Sequence, residues 1–459
     1  MDINQIKLSV KSLKVIGVIS AAFALVLSQL AVTPARAALG TAPVTLTVQY
    51  ETTGDRPEEE WHAVVAAFTK KYPNVTVNFS AITNEAKGGP NLQVLSSDGA
   101  PDIALLPLNS NVYTQMVKAK ALVPLNGIFK ADDTVKRIGP PAAALKQADG
   151  NYYATPHTVV YYNVLWTNPT AIAKAKATLP KDGRFKSVAE LVTFSKACSK
   201  AGYAGLAIGG KTNFQASWMF DSMMPSAVSD EALNNYINSY KPDVAVTSKW
   251  TDKGIIKTLD ALGTLAKSGV YQAGYLGMDL DQATAYFTAG KSCMLLGGTW
   301  MPGGAFQSDT EKGTMKFTPG FATLPSVEAG KYSTVTPYYG DAFGIPTKSK
   351  NQEWALELLR YFISDEGQTI GALNAAGNLP AVTTIPKSAY TKVPQGVKDV
   401  LTHVQKYGAK SGWTSEVPGA YGQTFLNPLI QKLQEGKTTS ANIAKAMQTN
   451  LEAVRKNGL

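Results

Sequence analysis

Histidine is scarce in this chain, and its scarcity limits the chemistry that the protein can perform. The three histidines (His62, His157 and His403) lie far apart and lack the spacing of a zinc site. No G-x-S-x-G nucleophile elbow is present. The acidic run Glu58–Glu60 falls at a predicted helix start, where it interacts favourably with the helix dipole. The sequence therefore predicts that the protein is not an enzyme and that it needs no metal and no cofactor. The alternative is a glycoside hydrolase, whose two catalytic acids are brought together by folding rather than by their positions in the sequence.

Clusters of basic residues are also missing, although the formal net charge is +10. Lysine and arginine occur singly or in pairs such as Lys70-Lys71, whereas nucleic-acid-binding proteins collect them in runs or on one face. We expect this charge to give a soluble surface, and we predict no nucleic-acid partner.

Long apolar runs are confined to the N-terminus. Three lysines precede an uncharged stretch over residues 15–35, and Ala35-Arg36-Ala37 is an A-x-A cleavage pattern. A membrane anchor is the alternative, because the stretch approaches spanning length. Cleavage before Ala38 is favoured, which makes residues 1–37 a signal peptide and the protein periplasmic or otherwise extracytoplasmic. Removing 37 of the 459 residues leaves 422, enough for two domains.

Cysteine is limited to Cys198 and Cys293. In an exported protein the oxidising compartment makes a disulfide the default for such a pair. Closing a loop of that length stabilises a fold by roughly 4 kcal/mol on the chain-entropy model. Two separate buried thiols are the alternative.

Strands and helices alternate along the part of the chain that remains after cleavage. VTLTVQY (Val44–Tyr50), VTVNF (Val75–Phe79) and GAPDIALLP read as strands. The helix between the first two begins with an Asp55 cap and Pro57, and Trp61, Val64, Val65 and Phe68 make its buried stripe. This order predicts an α/β fold whose strands are parallel and joined by helices.

The same alternation returns later in the chain. A helix capped by Ser187 ends before Gly202, and CMLL reads as a strand. Ser349 or Asn351 is predicted to cap the helix QEWALELLRYFI. The next helix begins with a Ser-Asp-Glu cap and stops at Gly377.

One segment matches a nucleotide-binding motif in its sequence but not in its predicted structural context. GLAIGGKT, Gly205–Thr212, satisfies the P-loop pattern, whose loop must leave a strand and open a helix. Here Leu206–Ile208 read as the strand itself. We therefore reject a nucleotide site.

Aromatic residues are plentiful at strand ends and loops. They are Tyr50, Trp61, Tyr161, Tyr162, Trp166, Trp218, Trp300, Tyr338, Tyr339, Trp413 and Tyr421. Trp61 has the spacing of a core residue, whereas those in GGTWMPGG and TPYYGDAFGIP lie beside glycine and polar residues. Sugar rings stack on aromatic faces while carboxylates and amides bind their hydroxyls, so these segments indicate a site for a polar ligand.

Six ordered segments together resemble a family-1 extracellular solute-binding protein, the capture subunit of a sugar-type ABC importer. They are the first strand and helix ending in KKYPNVTV, then GAPDIALL, YYNVLW, FTAGKSCMLLGGTW, GDAFGIP followed by TKSKNQEWALELLRYFIS, and GNLPA. Each segment is weak alone, but their order along most of the exported chain makes the resemblance specific.

The resemblance implies a two-lobed α/β fold, the type II periplasmic-binding-protein fold, with the ligand cleft between lobes joined by hinge strands. It assigns residues 38–159 and 339–385 to lobe 1, and 160–338 and 386–459 to lobe 2. The first crossing between lobes is expected near Tyr161–Asn163 and another just before GDAFGIP.

The implied function is capture of a neutral sugar, a mono- to oligosaccharide, by lobe closure. The protein would be a monomer that delivers this carbohydrate to a membrane permease. A binder of glycerol-3-phosphate or another phosphate ester or polyol is the alternative. The glycerophosphate binders carry an arginine where this chain has Ala420 and Tyr421, and a buried phosphate favours a guanidinium, so a neutral sugar is preferred.

Two further features follow from the resemblance. Relatives carry cysteines at the positions of Cys198 and Cys293, which favours the disulfide over free thiols. The segment from Pro156 to Tyr161 is shorter than in the family, which leaves the role of His157 at the first hinge open.

Carried over position by position, the resemblance predicts a ligand-binding set. Its members are Tyr50, Glu51, Asn109, Trp218, Trp300, Tyr339, Gly340, Asp341 and Tyr421. Tyr339 would supply a face, Gly340 would let the backbone approach the ligand, and Asp341 would accept hydrogen bonds from hydroxyls. Core packing of the aromatics and turn or cap roles for Asn109 and Asp341 are the alternatives.

Overall fold

The fold is described by a computed structural model. The described residues are 39–51, 57–82, 89–108, 110–131, 133–139, 142–147, 149–156, 158–211, 214–339, 341–374, 379–419 and 421–457. The predicted signal peptide lies outside these ranges. So do the expectations on Asp55, Asn109, His157, Gly340, Gly377 and Ala420.

A parallel pair of strands begins the described chain. β1 (Val44–Glu51) pairs in parallel with β2 (Val75–Ile82), and α1 (Pro57–Lys71) connects them. The helix buries Trp61 and Phe68 at 1% and 0% exposure, which confirms the predicted stripe. A parallel bridge from Val48 to Ile103 extends the pairing towards β3 (Ala104–Pro107). The strand–helix–strand pattern is therefore confirmed here.

An antiparallel strand from much later in the sequence completes this first group of strands. β9 (Asp341–Gly344) lies between β3 and β4 (Thr155–Pro156) and is antiparallel to both. The prediction of parallel strands is wrong at this point, because local alternation does not reveal a strand that arrives from a distant part of the chain.

A second sheet is built around one long strand, β5 (Thr158–Thr167). It pairs antiparallel with each of its four neighbours. These are β6 (Met294–Gly298), β7 (Gly320–Thr323), β8 (Thr336–Tyr338) and β10 (Leu379–Pro380).

The remaining helices cover the two groups of strands. Those before β4 are α2 (Gly89–Leu95), α3 (Asn111–Lys118), α4 (Asn126–Ala131), α5 (Thr134–Ile138) and α6 (Ala142–Leu145). Between β5 and β7 lie α7 (Pro169–Ala175), α8 (Val188–Lys200), α9 (Gln215–Met223), α10 (Asp230–Asn238), α11 (Lys253–Lys267), α12 (Leu280–Thr288) and α13 (Ala305–Glu311). After β9 come α14 (Gln352–Ile363), α15 (Asp365–Asn374), α16 (Gln395–Tyr407), α17 (Trp413–Glu416), α18 (Gln423–Gln434) and α19 (Ser440–Asn457).

The buried apolar residues form separate cores. One pair of clusters draws its residues from positions 46–154 and 342–385. Another pair draws on positions 164–335 and 400–451. A small cluster of Leu379, Val393 and Val397 packs on Val159 and Tyr161 between them. The chain thus passes from one set of cores to the other more than once.

Helix caps agree with the sequence except at α14. The Ser187 hydroxyl accepts from the Glu190 amide at 3.2 Å and caps α8. Asn351 occupies the cap position of α14, but its side-chain amide donates to Thr45 O at 3.1 Å and caps nothing. Neither of the two predicted residues provides a side-chain cap: the Asn351 amide ties the helix start to β1, and the Ser349 hydroxyl donates to Asp102 at 2.7 Å and accepts from the Asn351 backbone amide, ahead of the helix, at 3.2 Å.

A disulfide joins Cys198 of α8 to Cys293, the residue before β6. Both cysteines are fully buried, and their Cα atoms lie 6.4 Å apart. The pairing that the resemblance favoured is therefore present. Among the helices of the described chain, none has the length and apolar character needed to cross a membrane.

Candidate functional site

Two neighbouring connections link the two groups of strands. β8 pairs with β5, Tyr338 opposite Val160, while β9 pairs with β4, Ala342 opposite Pro156. The chain therefore crosses twice side by side, once between β4 and β5 and once between β8 and β9. The second connection lies just before β9, and the first lies just before β5, a few residues ahead of Tyr161–Asn163.

A bulge in β5 marks the first of these strands. The register shifts between Tyr162 and Val164, and Asn163 between them has a φ of 66°. Asparagine tolerates this left-handed conformation better than most residues. The Asn163 side chain is buried and donates to the Thr336 hydroxyl at 3.0 Å, which ties β5 to β8.

Four aromatic rings line up from the second sheet to the second crossing. Trp300, Trp218, Tyr162 and Tyr338, hereafter the aromatic row, follow one another at centroid distances of 5.7, 5.0 and 6.4 Å. Tyr162 is buried, whereas the other three are half-buried and keep part of their surface open. The structure thus brings the predicted Trp218 and Trp300 together with a tyrosine of the PYYGD segment.

Glycine positions Trp300 in this row. A Cβ atom at Gly298 would lie 1.9 Å from Cζ3 of Trp300, so the indole rests directly on this residue's backbone. Trp166, which is fully buried, donates from its indole nitrogen to Gly298 O at 3.0 Å. Gly298 therefore accepts a hydrogen bond from the buried Trp166 and, because it lacks a side chain, leaves room for the Trp300 ring above its backbone.

A buried carboxyl group fixes the middle of the row. Asp221 lies on α9, three residues after Trp218, and is fully buried. It accepts from the Tyr162 hydroxyl at 3.0 Å, from the Thr414 amide at 3.0 Å, and from the Thr414 hydroxyl. These bonds join α9, β5 and α17. Burial raises the pKa of Asp221 to about 7 although the hydrogen bonds favour its ionised form.

A second carboxyl group, Glu416, ends α17 beside this network and is half-buried. Burial raises the pKa of Glu416, while a hydrogen bond from Ser411 and the charge of Lys241 oppose the rise. Its charge adds to burial in raising the pKa of Tyr339. Glu416 therefore lies close enough to Tyr339, at the second crossing, for its charge to act on that hydroxyl.

Sequence reasoning missed both carboxyl groups. Asp221 is the lone charge in the apolar stretch SWMFDSMM, which was a signal for a buried polar role. Glu416 lies in GWTSEVPG, whose mixture of tryptophan, glycine and proline resembles the PYYGD segment.

The other predicted site residues are distributed as follows. Tyr339 is half-buried and follows β8, and Asp341 begins β9 opposite Pro107. Tyr50 and Glu51 end β1, where the Tyr50 ring packs edge-on against Phe79. The side chains of Glu51 and Asp341, and Asn109 and Gly340 entirely, lie outside the described residues.

Tyr421 lies in the core rather than on an open surface. It is 1% exposed, and its hydroxyl accepts from the Trp250 indole nitrogen at 3.1 Å. Its ring packs edge-on against Trp413, which is also fully buried. The alternative of core packing therefore fits Tyr421, and we leave it out of the candidate site.

Within the described part of the segment that matches the P-loop pattern, the amides needed for a phosphate already have partners. The amides of Gly209, Gly210 and Lys211 donate to Gln215 Oε1, Tyr275 O and Met278 O, the last two at 2.9 Å. Ala207 forms a parallel bridge with Leu295, so part of the motif is extended backbone. Among the described residues there is also no group of three or more His, Cys, Asp or Glu that could hold a metal.

The family follows from the sequence comparison. Residues 54–369 match the model of the bacterial extracellular solute-binding proteins. The chain belongs to that family. Its members are binding proteins, and its name places them outside the cytoplasm.

The chain is also similar to individual proteins. The chain is 23% identical over 405 residues to an uncharacterised ABC transporter extracellular-binding protein of Pyrococcus horikoshii, covering 87% of this chain and 85% of that protein. It resembles the structure of a chitin oligosaccharide binding protein with a TM-score of 0.73, at 19% identity, covering 90% of this chain and 100% of the other. It also resembles the GacH receptor of Streptomyces glaucescens, solved unliganded and with acarbose. The TM-score is 0.69 at 20% identity, covering 90% of this chain and 99% of the other. These likenesses establish the two-lobed solute-binding fold, with a cleft between lobes joined by hinge strands.

Proposed function

We propose that this protein captures a neutral sugar, from a mono- to an oligosaccharide, and delivers it to the membrane permease of an ABC importer. The observation that carries the proposal is the aromatic row. Its half-buried rings offer faces to the C–H surface of a sugar, and Glu416 beside it can accept from hydroxyls. The sugar ligands in the names of two structural neighbours support the same class.

The ligand is held between two lobes. Residues 38–159 and 339–385 form lobe 1, and residues 160–338 and 386–459 form lobe 2. The membership of the apolar cores and the paired crossings at β4–β5 and β8–β9 support these boundaries. Closure follows because contacts from both lobes exist only in the closed form, so the ligand shifts the hinge equilibrium.

The binding residues come from both lobes. Lobe 2 provides Trp218, Trp300 and Glu416, and the crossing provides Tyr338 to Asp341. Lobe 1 provides Tyr50, Glu51 and Asn109. Aromatic faces and carboxyl groups recognise a polyol without a formal charge, which favours a neutral sugar over a phosphate ester.

The proposed cellular role is in keeping with the family. The chain is exported by a signal peptide over residues 1–37, acts as a monomer outside the cytoplasm, and performs no catalysis. The name of the Pyrococcus horikoshii relative supports the link to an ABC transporter. The scattered basic residues support a partner other than nucleic acid.

A thermal-shift screen of the protein that begins at Ala38 tests the proposal. The panel contains mono-, di- and trisaccharides, polyols and glycerol-3-phosphate. A ligand at a hundred times its dissociation constant adds about 2.7 kcal/mol to the free energy of unfolding, so we expect a clear rise in Tm with one class of neutral sugar. A rise with glycerol-3-phosphate alone, or turnover of an oligosaccharide by the pure protein, would contradict it.

A further inference from the structure

A cavity of about 490 Å³ lies on the described structure outside the candidate site. Residues 225–230, 330–334 and 403–410 contribute to its wall together with Arg184, and no residue of the aromatic row lines it. Its volume is within the range of small-molecule sites.

The cavity contains an arginine held in a fixed plane. The Arg184 guanidinium lies between two tyrosine rings, 3.8 Å from the centroid of Tyr332 and 3.6 Å from that of Tyr407. Its Nε and Nη2 both reach Oδ2 of Asp182, at 3.0 and 2.9 Å. Stacking on both faces and an ion pair on one edge leave this side chain, 15% exposed, little freedom to turn.

One edge of that guanidinium has no partner. Asp182 occupies the Nε side, and Nη1 of Arg184 makes no hydrogen bond with any residue that the structure describes. Lys331 and Lys410 line the same cavity, and each forms an ion pair: Lys331 with Glu328 at 3.5 Å, and Lys410 with Asp230, which also lines the cavity. The Thr334 hydroxyl, also in the lining, is buried without a hydrogen-bond partner in the described structure.

The guanidinium and the two lysines favour an anionic ligand. A planar guanidinium edge matches the oxygens of a carboxylate or phosphate, and it binds them more strongly where aromatic rings keep water away. We propose that this cavity binds a small oxyanion, a phosphate or a carboxylate, on the free edge of Arg184, with Lys331 and Lys410 adding charge. The site is independent of the sugar site.

His403 reports on occupancy of the cavity. It lies in the wall, is 8% exposed, and its ring is 4.8 Å from that of Tyr407. Burial, and then the charge of Arg184, lower the pKa of His403 to about 4, while Asp182 opposes the shift and Lys406 adds to it. An anion on Arg184 offsets the guanidinium charge, so it raises the pKa of His403.

Nuclear magnetic resonance of the histidine rings tests the site in the full exported chain, which has three histidines to resolve. The ring signals are followed from pH 3.5 to 8 with phosphate, with succinate and with chloride at constant ionic strength. We expect phosphate or succinate to raise the pKa of His403 by about half a unit or more relative to chloride, as an added neighbouring charge does. The effective anion distinguishes a phosphate from a carboxylate site.

Three variants make the result specific. Arg184→Gln removes the guanidinium and should abolish the anion-dependent shift. Lys331→Gln changes a lysine that is 48% exposed and should weaken anion affinity severalfold without disturbing the fold. Lys348→Gln, an exposed lysine paired with Asp98, is the matched control and should behave as the wild type. Equal pKa values in all three salts, or a shift that survives in Arg184→Gln and Lys331→Gln, would overturn the proposal.

Discussion

Asp221 is the residue on which the middle of the candidate site depends. Its carboxyl group takes hydrogen bonds from Tyr162 and Thr414, and a Cβ atom at Gly412 would lie 2.6 Å from both Asp221 Oδ2 and the Tyr162 hydroxyl oxygen. Any side chain at residue 412 would therefore collide with both groups. A charge buried so completely is costly unless it is well hydrogen-bonded, which is why burial and hydrogen bonding act in opposite directions on its pKa.

This burial makes stability depend on pH. The pKa of Asp221 rises from 3.8 to about 7 on folding, so between these pH values the folded protein holds a proton that the unfolded chain has lost. The stabilising contribution is complete below pH 3.8 and is lost as the pH rises through about 7. Asp221→Asn should therefore make the slope of unfolding free energy against pH more positive in this window, by up to about 1.4 kcal/mol per pH unit.

Urea unfolding at pH 4, 5, 6, 7 and 8 measures that slope. His403 contributes a slope of opposite sign, because folding lowers its pKa from 6.5 to about 4, but this contribution is common to both proteins and cancels in the comparison. Asp260→Asn, at an exposed position of α11, is the control and should leave the slope unchanged. Parallel wild-type and Asp221→Asn curves would refute the buried, partly protonated carboxyl.

Gly298 provides a second test at the level of one residue. A methyl group there meets the Trp300 ring at 1.9 Å, and the ring is the end of a movable side chain, so the indole should turn away while the fold persists. Gly298→Ala should weaken sugar binding at least tenfold by calorimetry, with a change in Tm of a few degrees at most. Gly277→Ala is the control, since no atom lies within 4 Å of its Cβ position. Unchanged affinity in Gly298→Ala would remove Trp300 from the site.

At the level of elements, local patterns predicted the helices and strands well. β1, α1, β2 and β3 were each predictable because spacing alone decides which face of an element is buried. The place of β9 and of β10 was not, since their partners β3, β4 and β5 are fixed by pairing between distant segments. The bulge at Asn163 was equally unpredictable, because the register shift between β5 and β6 at this residue depends on pairing between distant segments.

The candidate site was predictable to a smaller extent. Trp218, Trp300 and the PYYGD segment were identified because aromatics beside glycine are unusual in a core. Tyr421 had the same local signal in GAYGQ, yet its ring fills the core beside Trp250. Burial of a single aromatic in a loop depends on what packs against it, and the sequence does not show that.

The disulfide connects two elements that lie far apart in sequence. Cys198 on α8 and Cys293 before β6 are 95 residues apart, so the bond restricts the unfolded chain strongly. We expect the Cys198→Ser and Cys293→Ser double variant to unfold at lower urea, with a loss of up to roughly 4 kcal/mol. For comparison, the wild-type protein is reduced in denaturant and refolded, so that it lacks the disulfide but keeps both cysteines. A double variant as stable as the oxidised protein would show that this link does not stabilise the fold.

At the level of the whole molecule, the two crossings explain how a rigid site can still open. The strand pair β4–β9 is connected to the strand pair β5–β8 by the two crossings, β4 to β5 and β8 to β9. A small change of backbone angles in these connections would turn one of the proposed lobes against the other. The aromatic row runs from Trp300, just after β6, to Tyr338 in β8 beside the second crossing. If the ligand is the sugar that we propose, its contacts with the two proposed lobes are complete only in the closed molecule.

Calorimetric titration of the best neutral sugar from the thermal-shift panel tests this account most directly. It compares the wild type with Trp218→Ala and with Tyr203→Ala, a half-buried aromatic beyond α8 that serves as the control. Removal of one stacking ring should weaken binding tenfold or more, which corresponds to about 1.4 kcal/mol or more of binding free energy, while the control binds as the wild type does. Equal affinity of the wild type and Trp218→Ala would contradict a sugar site on the aromatic row.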